Sequence, residues 1–203
     1  MDLLALVAGL LSGLSLIVAI GSQNAFVLRQ GLRREHVGAV VLVCTVSDYL
    51  LITAGVAGVG ALVAAAGWLV TLIRWLGVAF LVAYAVLSFR RAVAGGESLR
   101  ADGGAAPALS AVVLQAVALT WLNPHVYLDT VLLLGSLASS HGHPGRWWFA
   151  LGAALGSTLW FVALGYGARF AGRLFARPVA WRVLDTVIGV TMLTIAASLA
   201  LGG

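Results

Sequence analysis

The sequence predicts an all-α polytopic membrane protein with six transmembrane helices. Of its 203 residues, 62% are hydrophobic and only 9% are charged, and the mean hydropathy is +1.05. A soluble domain has about 45–50% apolar and about 25% charged residues, because its surface must be polar. The composition therefore excludes soluble and disordered classes. At about 20 residues per span the chain has room for six or seven spans and no further domain, so we predict one transmembrane domain over residues 1–203.

Six apolar runs, separated by polar segments, define the predicted spans. The first run, Leu3–Leu28, has no charge. It follows Met1-Asp2 without a basic segment and is longer than the apolar part of a signal peptide, so we expect it to be a span. The longest predicted loop, Arg90–Pro107, is polar and Gly-rich. The other spans are predicted, in chain order, near Val37–Leu62, Trp68–Phe89, Ala108–Leu137, Trp147–Ala168 and Leu184–Leu201.

The arginines predict the orientation of the chain. All 12 basic residues are arginines, and Arg146 is the only one assigned to the even-numbered loops, while Arg74 falls within span three. By the positive-inside rule, loops one, three and five face the cytoplasm and both termini face outside. The ten arginines of those odd-numbered loops are Arg29, Arg33, Arg34, Arg90, Arg91, Arg100, Arg169, Arg173, Arg177 and Arg182.

Internal matches predict two inverted three-helix repeats, at about 1–90 and 108–203, joined by the cytoplasmic loop 90–107. Spans one and four each contain a helix-breaking segment, Gly21–Asn24 and Asn123-Pro124. An odd number of spans in each half gives the halves opposite orientations, as is common among secondary transporters. The matched pairs are Ser47 with Ser157, Gly55 with Gly165, and Gly77-Val78 with Gly189-Val190.

Several functional classes are excluded by residues that the chain lacks. It has no lysine, so it has neither a P-loop lysine for ATP-driven pumping nor a Schiff-base lysine. Its single cysteine, Cys44, allows no disulfide within the chain and no cysteine cluster for a metal. The arginines are scattered singly, which argues against nucleic-acid binding. The sequence places no serine–histidine or paired-aspartate arrangement at bilayer depth, as an intramembrane hydrolase would require, so we predict a transporter and not an enzyme. We also predict no cofactor.

Asp48 is the most informative residue of the sequence. It lies about 11 residues into span two, roughly 16 Å along a helix and close to the bilayer centre. A carboxylate there costs about 2.5–3.5 kcal/mol, so it must face a cavity or a partner, or be protonated. One reading is a structural acid paired with Arg74; the other, which we favour, is a site for a cation or a proton.

A second polar segment runs from Asn123 to Asp129 in span four. Pro124 removes a backbone hydrogen bond, which is predicted to free carbonyls around Thr120. Irregular backbone at membrane depth is tolerated only around a polar cavity or within protein. Freed carbonyls together with Asp129 would suit a cation. The alternative is a plain proline kink that leaves Asp129 at the outer interface, since an unbroken helix would put it about 31 Å along.

Gly21–Asn24 is the corresponding break in span one. Small residues and amides can open a helix and offer carbonyls and amide side chains, although the segment can also be a span end entering loop one. The remaining acidic residues are assigned to ends and loops, which leaves Asp48 and Asp129 as the two carboxylates of the interior. His125 and Asp129 alone make a poor transition-metal site, so no metal is predicted.

These segments resemble the LysE family of amino-acid exporters, in its basic amino-acid branch. The resemblance runs over nearly the whole chain, and the string Asn123–Asp129 is specific to that branch. One position departs from the pattern: relatives usually have Pro where this chain has Ser22, so the break in span one rests on Gly21. The matching segments are Gly21–Gly31, Ser47-Asp48, Thr120–Thr130, Leu134–Ser136 and Arg146–Gly152.

The resemblance implies export of L-arginine or L-lysine across the bacterial inner membrane. Apart from the resemblance, we expect membrane lipid as a partner and allow for a homodimer. Outward movement of a cation opposes the membrane potential, which predicts proton antiport. We expect Asp48 to hold a proton and the substrate alternately, and the amides of Asn24 and Asn123 to bind the α-carboxylate. Another small solute, such as a neutral amino acid or a metal cation, is the alternative. The candidate site residues are Asp48, Asp129, Asn24, Asn123, Gln23, Gly21, Pro124 and Tyr127.

Overall fold

The computed structural model describes residues 2–18, 21–58, 67–94 and 107–201, and within these ranges the chain forms helices and no strand. Residues 59–66, between predicted spans two and three, and residues 95–106 of the predicted loop Arg90–Pro107 lie outside the described residues. The elements, in chain order, are α1 (Leu3–Ile17), α2 (Ser22–Arg33), α3 (Val37–Val56), α4 (Gly67–Ala94), α5 (Leu109–Trp121), α6 (Pro124–Val126), a π-helical segment (Tyr127–Leu134), α7 (Gly135–Ser139), α8 (Gly142–Gly167), a 3-10 segment (Ala168–Ala176) and α9 (Pro178–Leu201).

Four helices within the described ranges are long and apolar enough to cross a membrane, and α1 with α2 can form a fifth, broken span. These four, α3, α4, α8 and α9, correspond to predicted spans two, three, five and six. The predicted spans one and four are each divided. The axis turns by 82° between α1 and α2, and α5 ends before Asn123, where a second helical stretch begins.

Glycine allows helices α1 and α8 to approach each other closely. The helix α1 packs along α8, and α4 packs along α9, while α3 crosses α8. Gly9 and Gly13 of α1 lie against the α8 backbone at Phe149 and Ala153. A Cβ at Gly9 would clash with Phe149, and one at Gly13 would be tightly packed against Ala153. Such small-xxx-small pairs let transmembrane backbones touch, which is how helices associate where lipid removes the hydrophobic driving force.

The outer surface of the helices is apolar. Leu42 and Leu50 on α3, Leu114 on α5, and Leu159 on α8 are all more than half exposed. A soluble protein rarely exposes such large apolar patches, whereas a lipid-facing surface requires them. The structure is therefore that of a helical membrane protein.

A buried ion-pair cluster corrects one assignment made from the sequence. Asp185 does not lie in a loop, because α9 begins at Pro178 and buries this carboxylate at 1% exposure. Arg29 is likewise inside α2, buried, and forms a salt bridge with Asp185. The Arg91 Nε atom lies 3.5 Å from the same Oδ1 atom. The interior therefore contains a third carboxylate, neutralised by arginines of two other helices.

Candidate functional site

A cavity of about 230 Å³ lies where the two broken segments meet α3 and α8. This volume is smaller than the roughly 300–1,000 Å³ of pockets for drug-sized ligands, so the cavity suits a small solute. Leu16, Ile52 and Ala153 supply part of its apolar wall. Its polar lining comes from both breaks and from the middle of the two long helices.

Asp48 lines this cavity at 7% exposure. Its Oδ2 atom accepts a hydrogen bond of 2.6 Å from the Ser157 hydroxyl of α8. Among the described residues no salt bridge joins Asp48 or Asp129 to Arg74, whose guanidinium lies 5.5 Å from the centre of the Trp75 ring. The carboxylate is therefore supported by one neutral donor and has no cation of the described chain as its partner.

Asp129 lines the same cavity from the π-helical segment and is exposed. Thr130, the next residue, and His125, one turn earlier, also contribute to the lining. π-Helical turns occur frequently at functional sites, because the extra residue per turn alters which side chains face inward. The break at Asn123 and the π-helical turns thus bring Asp129 to the cavity that contains Asp48.

Each helix break is held by a side chain that binds the last carbonyl before it. The Asn24 Nδ2 atom donates to the carbonyl of Ile17 at 2.5 Å, and Asn24 Oδ1 accepts from the Trp160 indole at 3.1 Å. At the second break, the Tyr127 hydroxyl donates to the carbonyl of Trp121 at 2.9 Å. These carbonyls would otherwise be unsatisfied at a helix end within lipid.

The carbonyls that Pro124 was predicted to free are therefore engaged by the protein itself. The Thr120 carbonyl accepts a long hydrogen bond of 3.4 Å from the Asn123 N–H, and the Trp121 carbonyl accepts from the Tyr127 hydroxyl. The Asn123 side chain begins the second helical stretch, since its Oδ1 accepts from the His125 N–H at 3.2 Å. Backbone carbonyls at this break consequently contribute less to a cation site than the sequence indicates.

The structure brings six of the eight predicted site residues to one cavity: Gly21, Gln23, Asn24, Asp48, Asn123 and Asp129. Tyr127 is not among the described lining residues and supports the break instead. Pro124 begins α6.

Sequence reasoning missed Ser157 and Trp160, which bind the polar side chains of the site from α8. Ser157 carried a signal, because the repeat pairs it with Ser47, the neighbour of Asp48. Ser47 itself binds the Trp121 indole at 3.0 Å and joins α3 to α5. Trp160 gave no signal, since an apolar helix position does not reveal what its indole N–H meets.

The cavity combines carboxylates with hydrogen-bond donors. No group of three or more His, Cys, Asp or Glu side chains that could hold a metal ion occurs within the described ranges. Carboxylates accept from ammonium and guanidinium groups, and amide and helix N–H groups donate to carboxylates. This combination matches a solute that carries both charges.

The chain is similar over most of its length to proteins named as exporters. A family model described as "LysE type translocator" matches residues 14–203. A lysine exporter LysE of Corynebacterium diphtheriae is 39% identical over 95% of this chain and 97% of its own length. The arginine exporter protein ArgO of Escherichia coli is 38% identical over 96% and 92% of the two chains.

A putative amino-acid transporter of Mycobacterium tuberculosis is 46% identical over 90% of each chain. No solved structure matches the chain.

Proposed function

This chain belongs to the LysE type translocator family, and on that premise we propose that it exports L-arginine or L-lysine across the bacterial inner membrane. Two of the similar proteins are named for lysine and arginine export. Transport without any enzymatic step agrees with these names. Counterflow competition between arginine and lysine decides between the two substrates.

One observation carries the proposal: Asp48 and Asp129 line the same small cavity between the two broken segments. A carboxylate near the bilayer centre is costly, and its retention marks a pathway for a substrate or an ion. Lysine and arginine each carry an α-ammonium and a side-chain cation, so two carboxylates match the two positive groups. A neutral amino acid would leave one carboxylate without a partner.

Energetics supports proton antiport as the coupling mode. Moving one positive charge outward against the membrane potential costs about 2.3 kcal/mol per 100 mV. A uniporter would therefore let arginine leak inward, whereas inward movement of a proton compensates the charge. Asp48 is our candidate for the group that holds the proton and the substrate in turn, because its described partner, Ser157, is neutral.

The arrangement of charges supports an orientation with both termini outside. Arg29 and Arg91 meet at Asp185 near the start of α9, so the first, third and fifth loops are near one end of the molecule. The Asp2 carboxylate lies near Gly145 at the start of α8, one residue before Arg146 and at the opposite end of α8 from the segment that leads to α9. The arginine-rich end is the one that the positive-inside rule assigns to the cytoplasm.

Two close contacts support the inverted repeat. Gly31 of α2 lies against the Gly165 carbonyl of α8, and Gly135, which begins α7, lies against the Gly55 carbonyl of α3. Gly55 and Gly165 are one of the pairs matched by the repeat. Each broken segment therefore meets the long helix of the other half through equivalent glycines, as inverted halves would.

Transport by purified protein in liposomes tests the proposal. We expect an imposed pH gradient to drive labelled L-arginine or L-lysine uphill, with proton movement in the opposite direction. Competition by arginine, lysine, threonine and Mn²⁺ in counterflow separates the substrate classes, and empty liposomes are the control. Preference for threonine or Mn²⁺ would contradict the proposed substrate, and transport indifferent to the pH gradient would contradict antiport.

A further inference from the structure

The first turn of α2 presents unused hydrogen-bond donors to the cavity. The helix begins at Ser22, after Gly21 in an extended conformation, and no side chain of the described residues caps it. The first N–H groups of a helix have no acceptor within that helix, and they carry the partial positive charge of the helix dipole. Gly21, Ser22, Gln23 and Asn24 all line the cavity.

Two side chains add donors at the same place. The Ser22 side chain is fully buried, at 0% exposure, and its hydroxyl has no hydrogen-bond partner among the described residues. The Gln23 Nε2 atom is buried too, and the weakly accepting thiol of Cys44 is its nearest partner among the described residues. Leaving a buried polar group unpaired is costly, so such groups in native proteins call for a specific explanation. An acceptor bound in the cavity would satisfy both.

The amides expected from the sequence to bind a carboxylate are less suited to it. The Asn24 Nδ2 atom is bound to the Ile17 carbonyl and its Oδ1 atom to Trp160. Asn123 uses its Oδ1 atom at the start of α6, which leaves only its Nδ2 atom for the cavity. Among the described lining residues, the start of α2 therefore offers several donors together, while Asp48 and Asp129 supply acceptors.

We propose that the first turn of α2, through Ser22 Oγ, Gln23 Nε2 and the helix N–H groups, binds the α-carboxylate of the exported amino acid. This assignment rests on the proposed function. An amine that has the same cationic side chain but no carboxylate would leave these donors unsatisfied. The protein should therefore discriminate arginine from agmatine, and lysine from cadaverine, because it binds the α-carboxylate as well as the cation.

Competition in proteoliposomes tests this assignment with the full chain. We expect agmatine to compete with labelled L-arginine at least roughly tenfold more weakly than L-arginine does, since charge-assisted hydrogen bonds are the strong ones. The Ser22→Ala variant should raise the KM for arginine several-fold and leave the inhibition constant of agmatine unchanged. Ser22→Thr, which keeps a hydroxyl, should retain much of the preference of the wild type for arginine over agmatine.

A matched control removes a hydroxyl elsewhere. Ser15 is exposed on α1, and its Oγ donates at 2.8 Å to the Ser12 carbonyl of its own helix, so Ser15→Ala should transport as wild type does. As a second readout, arginine should raise the Tm of the detergent-solubilised wild type more than agmatine does, and Ser22→Ala should narrow that gap.

Different outcomes separate the assignment from the proposed function. Equal competition by agmatine and arginine in the wild type would overturn the carboxylate site. An equal loss of affinity for arginine and for agmatine in Ser22→Ala would overturn it as well. If the wild type transports neither arginine nor lysine, the proposed function itself fails, and this assignment fails with it.

Discussion

At the scale of single residues, the environment of Asp48 distinguishes it from Asp185, which is also buried. Asp185 is paired with Arg29 and Arg91, so its charge is neutralised inside the protein. Asp48 accepts one hydrogen bond from Ser157 and faces the cavity. A carboxylate without a cation of its own can exchange partners, which a carboxylate held by two arginines cannot do without breaking the fold.

We predict that Asp48→Asn lowers arginine export in proteoliposomes at least tenfold, about 1.4 kcal/mol or more, and removes its dependence on the pH gradient. The amide can neither carry a proton nor pair with a cation. Ser157 can still hydrogen-bond to the amide oxygen, so the Tm in detergent should change little and distinguish lost function from lost folding.

Tyr49→Phe is the control for this substitution. Tyr49 is the next residue on α3, and its hydroxyl forms a 2.8 Å bond with Thr158 on the exposed side of the same two helices. Its loss should leave export and its pH dependence intact. Undiminished, pH-dependent export by Asp48→Asn would refute the proposed role of Asp48.

At the scale of elements, the two helix breaks are built so that the protein satisfies its own backbone. Asn24 binds the end of α1, and Tyr127 binds the end of α5. A break in lipid is stable only when its free carbonyls find partners. The breaks therefore persist without a ligand, and the start of α2 keeps its N–H groups toward the cavity.

We predict that Tyr127→Phe destabilises the protein by about 1–3 kcal/mol, because the Trp121 carbonyl loses its hydroxyl donor. The measurement is thermal unfolding in detergent. Tyr166→Phe is the matched control, since this tyrosine is 45% exposed on α8, and it should unfold as wild type does. An unchanged Tm for Tyr127→Phe would mean that the break is held by other contacts.

At the scale of the whole molecule, the Arg29–Asp185–Arg91 cluster joins three helices that are distant in the sequence. It ties the short α2 to α9 and α4 at the arginine-rich end. Ser88, fully buried, accepts a hydrogen bond of 2.9 Å from Arg91. The cluster thus contributes, together with packing on α8 and the 3-10 segment, to the position of α2 and of its cavity-lining first turn.

We predict that Asp185→Asn destabilises the protein by about 3–5 kcal/mol, because it leaves a buried arginine uncompensated. Glu35→Gln is the control, since its partner Arg33, 3.0 Å away, and Glu35 itself are about a quarter exposed, and such a pair contributes about 0–1 kcal/mol. Thermal unfolding in detergent measures both. Similar losses of stability in the two variants would show that burial does not determine how much the cluster contributes to stability.

The sequence by itself determined the class of the protein and much of its site. Hydropathy over some 20 residues, the one-sided arginines and the positions of Asp48 and Asp129 are properties of the chain that need no knowledge of neighbours. Both helix breaks were predictable in the same way, from Gly21 and from Asn123-Pro124, because these residues act on their own backbone.

Only the tertiary structure decided which groups meet. Nothing in the sequence around Asp185 indicates Arg29, nor does Asn24 reveal that its amide is committed to Ile17 and Trp160. These partners depend on which faces of distant helices pack together, and side-chain hydrogen bonds extend only about 3 Å. Ser22 shows the difference most plainly: in the sequence it departs from the family pattern, and in the fold it is a buried donor at the cavity.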